Sequence, residues 1–269
     1  MNSEPISDVV IAISSDDTDE STVSPGSLTF TSANWDTPQS VIVTGADDDL
    51  ADGTQNSTVT ISVVDLSSDD SFDSLADQSF TVTTADNDIA GFTITETNGS
   101  TEVDESGDTD IFTVVLDAQP ANDVVLSIIS SDTGEATVTS TLTFTSTNWD
   151  TAQTVTVTGV DDSLLDGSQS SIVTISVVDQ NTSDEFDAVA DQTVSVSTTD
   201  DDVAGFTIVE LDGSTEVDES GDTDTFTVVL DAQPDSNVVV AISVSDSSES
   251  SVNSPLTFTS ANWDTPQVV

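Results

Sequence analysis

The sequence has no lysine, arginine, histidine, cysteine or tyrosine, against 52 aspartates and glutamates in 269 residues, a formal charge of −52. Without Lys or Arg no side-chain salt bridge can form, and the phosphates of a nucleic acid have nothing to bind, so nucleic acid is not an expected partner. Without Cys there is no disulfide and no thiolate metal site. Without Cys and His together, zinc loses its preferred ligands. Catalysis would rest on carboxylates alone, as in glycoside hydrolysis. The acids lie in repeated loops and not in one unique pocket, so no enzyme is expected. No apolar run approaches the ~18 residues of a membrane helix, so no membrane insertion is expected of this segment. The opening MNSEPISDVV lacks the basic start and apolar core of a secretion signal.

A charge of one sign opposes any compact state, and soluble domains usually mix both signs on their surfaces. High charge with low hydrophobicity would mark a disordered tail. Here hydrophobic residues make up 35% of the chain, and Val, Ile, Phe and Thr fall in alternating runs. A folded chain is therefore expected, with its carboxylates either spread and hydrated or bridged by cations from solution.

The sequence repeats. LTFTSANWDTPQ begins at Leu28, LTFTSTNWDTAQ at Leu142 and LTFTSANWDTPQ again at Leu256, each step 114 residues. AGFTI at Ala90 and Ala204 keeps the same spacing, as does VTG at Val43 and Val157. A period of this length is a whole domain, not a solenoid unit. Residues 89–202 form one complete copy. Residues 1–88 lack the first strands of the repeat, and 203–269 stop before its last ones, which suggests a piece of a longer array. Open sheet edges should make the two outer pieces less stable than the middle.

Within the complete copy, strand-like segments cover 91–96, 111–117, 124–130, 141–146, 154–159, 172–179 and 193–199, with turn signals between them. The alternation of Val155 and Val157 with Thr154, Thr156 and Thr158 fits half-buried strands. Seven short strands in about 114 residues predict an all-β fold: tandem immunoglobulin-like seven-stranded antiparallel β-sandwiches. Trp35, Trp149 and Trp263 are expected to plug the core beside the NWDTPQ-type turns, and outward Thr is ordinary on a strand.

In an immunoglobulin-like order, the loops after the first, third and fifth strands share one end of the sandwich with the close of the seventh. Thirteen of the 22 acids in 89–202 fall in those four places. Four chain segments thus bring carboxylates to one end, beside the following repeat. At ~4 Å two like charges repel by ~1 kcal/mol in water and ~4 kcal/mol at an effective dielectric near 20. An oxygen-only cluster of this kind suits Ca²⁺, which takes 6–8 oxygen ligands, whereas Mg²⁺ prefers to keep its waters. The far-end acids Asp184, Glu185, Asp187 and Asp191 read as a solvated face that could also reach the ion of the preceding repeat. No EF-hand loop is present.

The junction TDDDVAGFTIVE at 199–210, the VTGVDDSLLDG of 157–167 and the VDESGDTDTFTVVL of 217–230 resemble the Calx-beta domain family over the whole chain. The resemblance implies a seven-stranded sandwich that holds Ca²⁺ through a glutamate between the first two strands, acids after the fifth strand, and aspartates at the domain's end. The matching positions are Glu105, then Asp161, Asp162 and Asp166, then Asp200, Asp201 and Asp202. In the first piece they are Asp47, Asp48, Asp52, Asp86 and Asp88, with Asn87 weakening that junction. The last piece keeps Glu219 without its other partners. The family's Gly-x-Asp-Tyr element is missing; SSDTGEATVTSTLTF stands there, where Asp132 or Glu135 could substitute.

The expected role is a calcium-binding segment of an extracellular, cell-surface or adhesin-type stalk secreted by a bacterium, with Ca²⁺ at the joints rigidifying the array. Its partners would be neighbouring repeats and an adhesion target outside this segment. A calcium-sensing regulatory module and a halophilic acidic repeat without specific metal sites are the alternatives.

Overall fold

A computed structural model describes residues 1–180 and 183–269. Among them every regular element is a β-strand, apart from three single 3₁₀ turns. The central repeat is a two-sheet sandwich. One sheet runs Ala136–Val138, Gln153–Gly159, Thr109–Leu116, Phe92–Glu96; the other runs Thr141–Phe144, Val124–Ser130, Gln169–Val177, Gln192–Thr199, Thr101–Asp104. Period-two alternation dictates which side chains meet between them. Val155 and Val157 are fully buried, while Thr154 is exposed and Thr156 and Thr158 are partly so. Phe112, Val114, Leu126, Ile128, Val173 and Ile175 complete the dry layer, each contributing roughly 1.5–3 kcal/mol by burial.

The architecture departs from seven simple antiparallel strands in two places. The first strand divides. Phe92–Glu96 pairs antiparallel with Thr109–Leu116, and Thr101–Asp104 then pairs parallel with Gln192–Thr199 in the opposite sheet. The crossing occurs at Asn98-Gly99, both with positive φ, a conformation Asn and Gly adopt most readily. The fourth strand divides in the same way, into Ala136–Val138 and Thr141–Phe144. Periodicity alone locates the longer half of each and passes over 101–104 and 136–138, whose three or four residues are too few to show a pattern. The first division matters for the site, because it delivers Glu105 to the end of the sandwich with its amide donating to the Thr199 carbonyl at 3.1 Å.

The outer pieces show what the missing strands cover. Val157 is 0% exposed, but its counterpart Val43 is 37% exposed. Phe92 is 2% exposed and its counterpart Phe206 is 54% exposed. The turns before the tryptophans are built alike in all three copies, and Trp149 and Trp263 pack on buried clusters. Asn34, Asn148 and Asn262 each accept the amide of the Thr three residues earlier, at 2.6 Å.

Gly159 marks a close approach. It sits opposite Ala136, and a Cβ there would overlap the Asp104 carbonyl oxygen. At Gly45, the matching position of the first repeat, a Cβ would meet only Thr84 Cγ2 at 3.6 Å. We expect Gly159→Ala to destabilise the central repeat by about 2–3 kcal/mol and Gly45→Ala to stay within about 0.5 kcal/mol of wild type. Urea unfolding followed by tryptophan fluorescence tests both, and equal effects would overturn the assignment.

Candidate functional site

Four segments converge at one end of the central sandwich. The first contributes Glu105 and the third-to-fourth connection contributes Glu135. The loop after Gln153–Gly159 brings Asp161, Asp162 and Asp166, and the close of Gln192–Thr199 brings Asp200, Asp201 and Asp202. Backbone hydrogen bonds tie them together. Val160 donates to the Glu135 carbonyl at 2.9 Å, and Leu164 donates to Asp162 Oδ1 at 2.6 Å, folding the loop on itself. Gly167 donates to Asp200 Oδ2 at 2.7 Å from a left-handed conformation, φ +74°, which a glycine reaches without the steric cost of a Cβ. Asp202 donates to Asp200 Oδ1 at 2.8 Å. Asp200 is thus anchored by both of its oxygens.

Glu105, Asp200 and Asp202 each place a carboxylate oxygen within 4.8 Å of the other two. Glu105 is only 1% exposed. Its Oε2 is buried without a hydrogen-bond partner, as are Glu135 Oε2 and Asp202 Oδ2. Burial pushes the Glu105 carboxyl up to about 7, with Asp200, Asp162, Glu135 and Asp166 adding like-charge repulsion. Glu135 is raised by burial and then chiefly by Asp166 and Asp132. Asp202 is raised by burial and then chiefly by Asp200 and Asp201. An unpaired buried carboxylate costs several kcal/mol, and this chain holds no side-chain cation to offset it. The arrangement is chemically suited to a hard cation bound through oxygen alone.

Of the central residues expected at the site, Glu105, Asp200 and Asp202 form the tightest group. Asp162 and Asp166 act on it as neighbouring charges from an exposed loop. Asp161 and Asp201 are exposed and act on Asp202. Glu135 joins the cluster, whereas Asp132 is exposed and reaches it as a charge acting on Glu135.

The first repeat builds the same frame. Asp86 accepts Gly53 at 2.7 Å, Asp52 at 3.1 Å and Asp88 at 2.7 Å. These bonds hold its carboxyl below the usual range, the Asp88 amide contributing most. Asp52 and Asp88 are raised by burial and by their acidic neighbours, among them Asp47 and Asp48 for Asp88. Glu20 was not anticipated. It occupies the place of Glu135, its carbonyl accepting Ala46 at 2.9 Å as Glu135 accepts Val160. It too is raised, by burial and then by Asp52. The common Glu-x-Thr-Val of 20–23 and 135–138 is the sequence signal that finds it, once a one-residue difference before LTF is allowed. Glu185, from the far end of the central repeat, is among the charges that raise Asp52, so an acid of one repeat acts electrostatically on the loop of the preceding one. In the last piece Glu219 is exposed, in contrast to buried Glu105.

No family model and no curated protein matches the sequence. Among solved structures, domains 4–9 of the surface layer protein SbsC align with 16% identity and a TM-score of 0.34, covering 88% of this chain and 31% of that one. Domains 4 and 5 of the S-layer protein SbsC align with 18% identity and a TM-score of 0.33 over 70% of each chain. The E. coli chaperone DraB aligns with 7% identity and a TM-score of 0.32 over 52% of this chain and 70% of that one. The chain therefore spans about a third of the first of these.

Proposed function

We propose that this chain is a calcium-binding tandem-repeat segment of an extracellular surface or adhesin-type stalk, of Calx-beta-like kind, in which Ca²⁺ at the end of each sandwich stiffens the joint to the next. The observation that carries the reading is the buried Glu105 carboxylate, its Oε2 without a partner, grouped with Asp200 and Asp202 in a chain without a single basic side chain. Glu105, Glu135, Asp162, Asp166, Asp200 and Asp202 would hold the ion. It would supply charge neutralisation, with no chemical step, and the role is structural, not enzymatic. Only Val203-Ala204-Gly205 separates the closing aspartates from the next strand at Phe206, so filling the site restricts bending at that link. Extracellular calcium is sufficient for weak sites of this class.

Calorimetric titration of the whole chain with CaCl₂ at fixed ionic strength tests this. Saturable binding with a Kd between about 10⁻⁴ and 10⁻³ M, weaker for MgCl₂, is the expected result. A Kd between about 10⁻⁷ and 10⁻⁵ M would favour a sensing module instead. Heats that do not saturate would leave an acidic repeat stabilised by hydration alone.

A further inference from the structure

The loop that carries the acids also touches the next repeat, and it does so twice in the same way. Leu50-Ala51 lies parallel to Gln119-Pro120 of the central repeat, and the Gln119 amide donates to the Asp49 carbonyl at 2.7 Å. At the second joint Gln233 donates to Ser163 at 2.6 Å, and Leu165 donates back to Gln233 at 3.1 Å. Side chains follow the backbone. Ala51 is 2% exposed and belongs to the buried cluster of the central repeat that holds Phe92, Leu116 and Ala118. Leu165, its counterpart, lines a cleft of about 480 Å³ with Phe206, Leu230, Ala232 and Pro234, the equivalents of that socket in the last repeat. Leu50 and Leu164 are each held by the aspartate two residues earlier, at 2.8 and 2.6 Å, so the acids shape the stretch that docks.

We propose that residues 49–51 and 163–165 are docking strands that recognise the Ala-Gln-Pro segment of the following repeat, with Ala51 seated in the base of the central core and Leu165, 37% exposed, on the wall of the equivalent cleft in the incomplete last repeat. The partner is another copy of the same repeat. Backbone hydrogen bonds to the Gln of that segment and one apolar side chain supply the recognition, and no cation is required. Each repeat then contributes directly to the stability of its successor, the nearest-neighbour coupling of a quasi-one-dimensional array. The Ala-Gln-Pro sequence stands at 118–120 and again at 232–234, so one docking geometry serves both joints. The difference between Ala51 and Leu165 gives each joint its own fit.

Amide hydrogen exchange on the full chain, in EDTA and in CaCl₂, tests the clasp separately from calcium binding. Ala51→Asp places a carboxylate in an apolar socket. The Gln119 amide and those of 112–118 should then exchange at least about tenfold faster in EDTA, while 57–61 in the sheet of the first repeat keep their wild-type rates. Ala51→Gly, which removes only the methyl group, should move the same amides by about two- to threefold and covers the case in which the aspartate variant does not fold. Unchanged rates at Gln119 in both variants, or a loss confined to residues 55–63, would overturn the proposal. A clasp that persists in a protein indifferent to calcium would refute the calcium function and leave this inference standing.

Discussion

In about 10 mM CaCl₂ the central repeat should melt about 10–20 °C higher than in EDTA with NaCl at matched ionic strength. The size follows from linkage. An ion that binds only the folded state stabilises it by RT ln(1 + [Ca]/Kd), about 2.7 kcal/mol at a hundredfold excess, and 1 kcal/mol moves the midpoint of a domain near 100 residues by about 4–8 °C. The measurement is differential scanning calorimetry of the full chain in CaCl₂, MgCl₂ and the EDTA–NaCl buffer. The response should be largest for calcium and should vanish in the double variant Asp200→Asn/Asp202→Asn. Asp200 organises the site through the amides of Gly167 and Asp202, and Asp202 offers an unpartnered buried oxygen, so the pair removes both the frame and a donor. Equal melting in CaCl₂ and matched NaCl would show that general screening of a −52 chain, and no specific ion, sets its stability.

Much of this was legible in the residues. The 114-residue period and the Val–Thr alternation are sufficient for an all-β sandwich, because a period-two pattern with one face buried fixes strand and register together. The acids could be placed at one end by topology alone. Two features were beyond reach. Residues 101–104 read as part of an acidic loop, since their strand exists only through parallel pairing with 196–199, almost a hundred residues away. That pairing is what buries Glu105, so its difference from the exposed Glu219 is tertiary and has no local signature. Leu50-Ala51 likewise looks like filler between aspartates. Its burial depends on a cleft in the next repeat, and a two-residue bridge leaves no periodicity to read.

Glu105→Gln should change the sign of its effect on stability with calcium. Without a divalent ion at pH 7.5, the wild-type carboxylate is buried among Asp200, Asp162, Glu135 and Asp166 with an oxygen that has no partner. Replacing it with a neutral amide removes that repulsion, and the variant should be more stable by about 2 kcal/mol after screening at the mouth of the site is allowed for. In saturating calcium the order reverses, because the glutamine is a poor ligand and the variant forgoes most of the linkage gain. The pH dependence follows from the same group. Its folded value, about 7, lies above the ordinary 4.5, so the folded state holds the proton more tightly than the unfolded chain. Stability from this group is greatest below pH 4.5 and is lost as pH rises to about 7. Glu135 and Asp202 are displaced in the same direction. Asp69, held down to about 2 by the amides of Ser71, Ser7 and Ile6, loses its contribution only below its ordinary 3.8, outside the window. Cation-free wild type should therefore become more stable from pH 8 to pH 5, with a smaller slope in Glu105→Gln and a flattened one in calcium. Urea unfolding at four pH values, with and without CaCl₂, measures all three. A variant destabilised under every condition would make Glu105 an ordinary packing residue and remove the central ligand from the site.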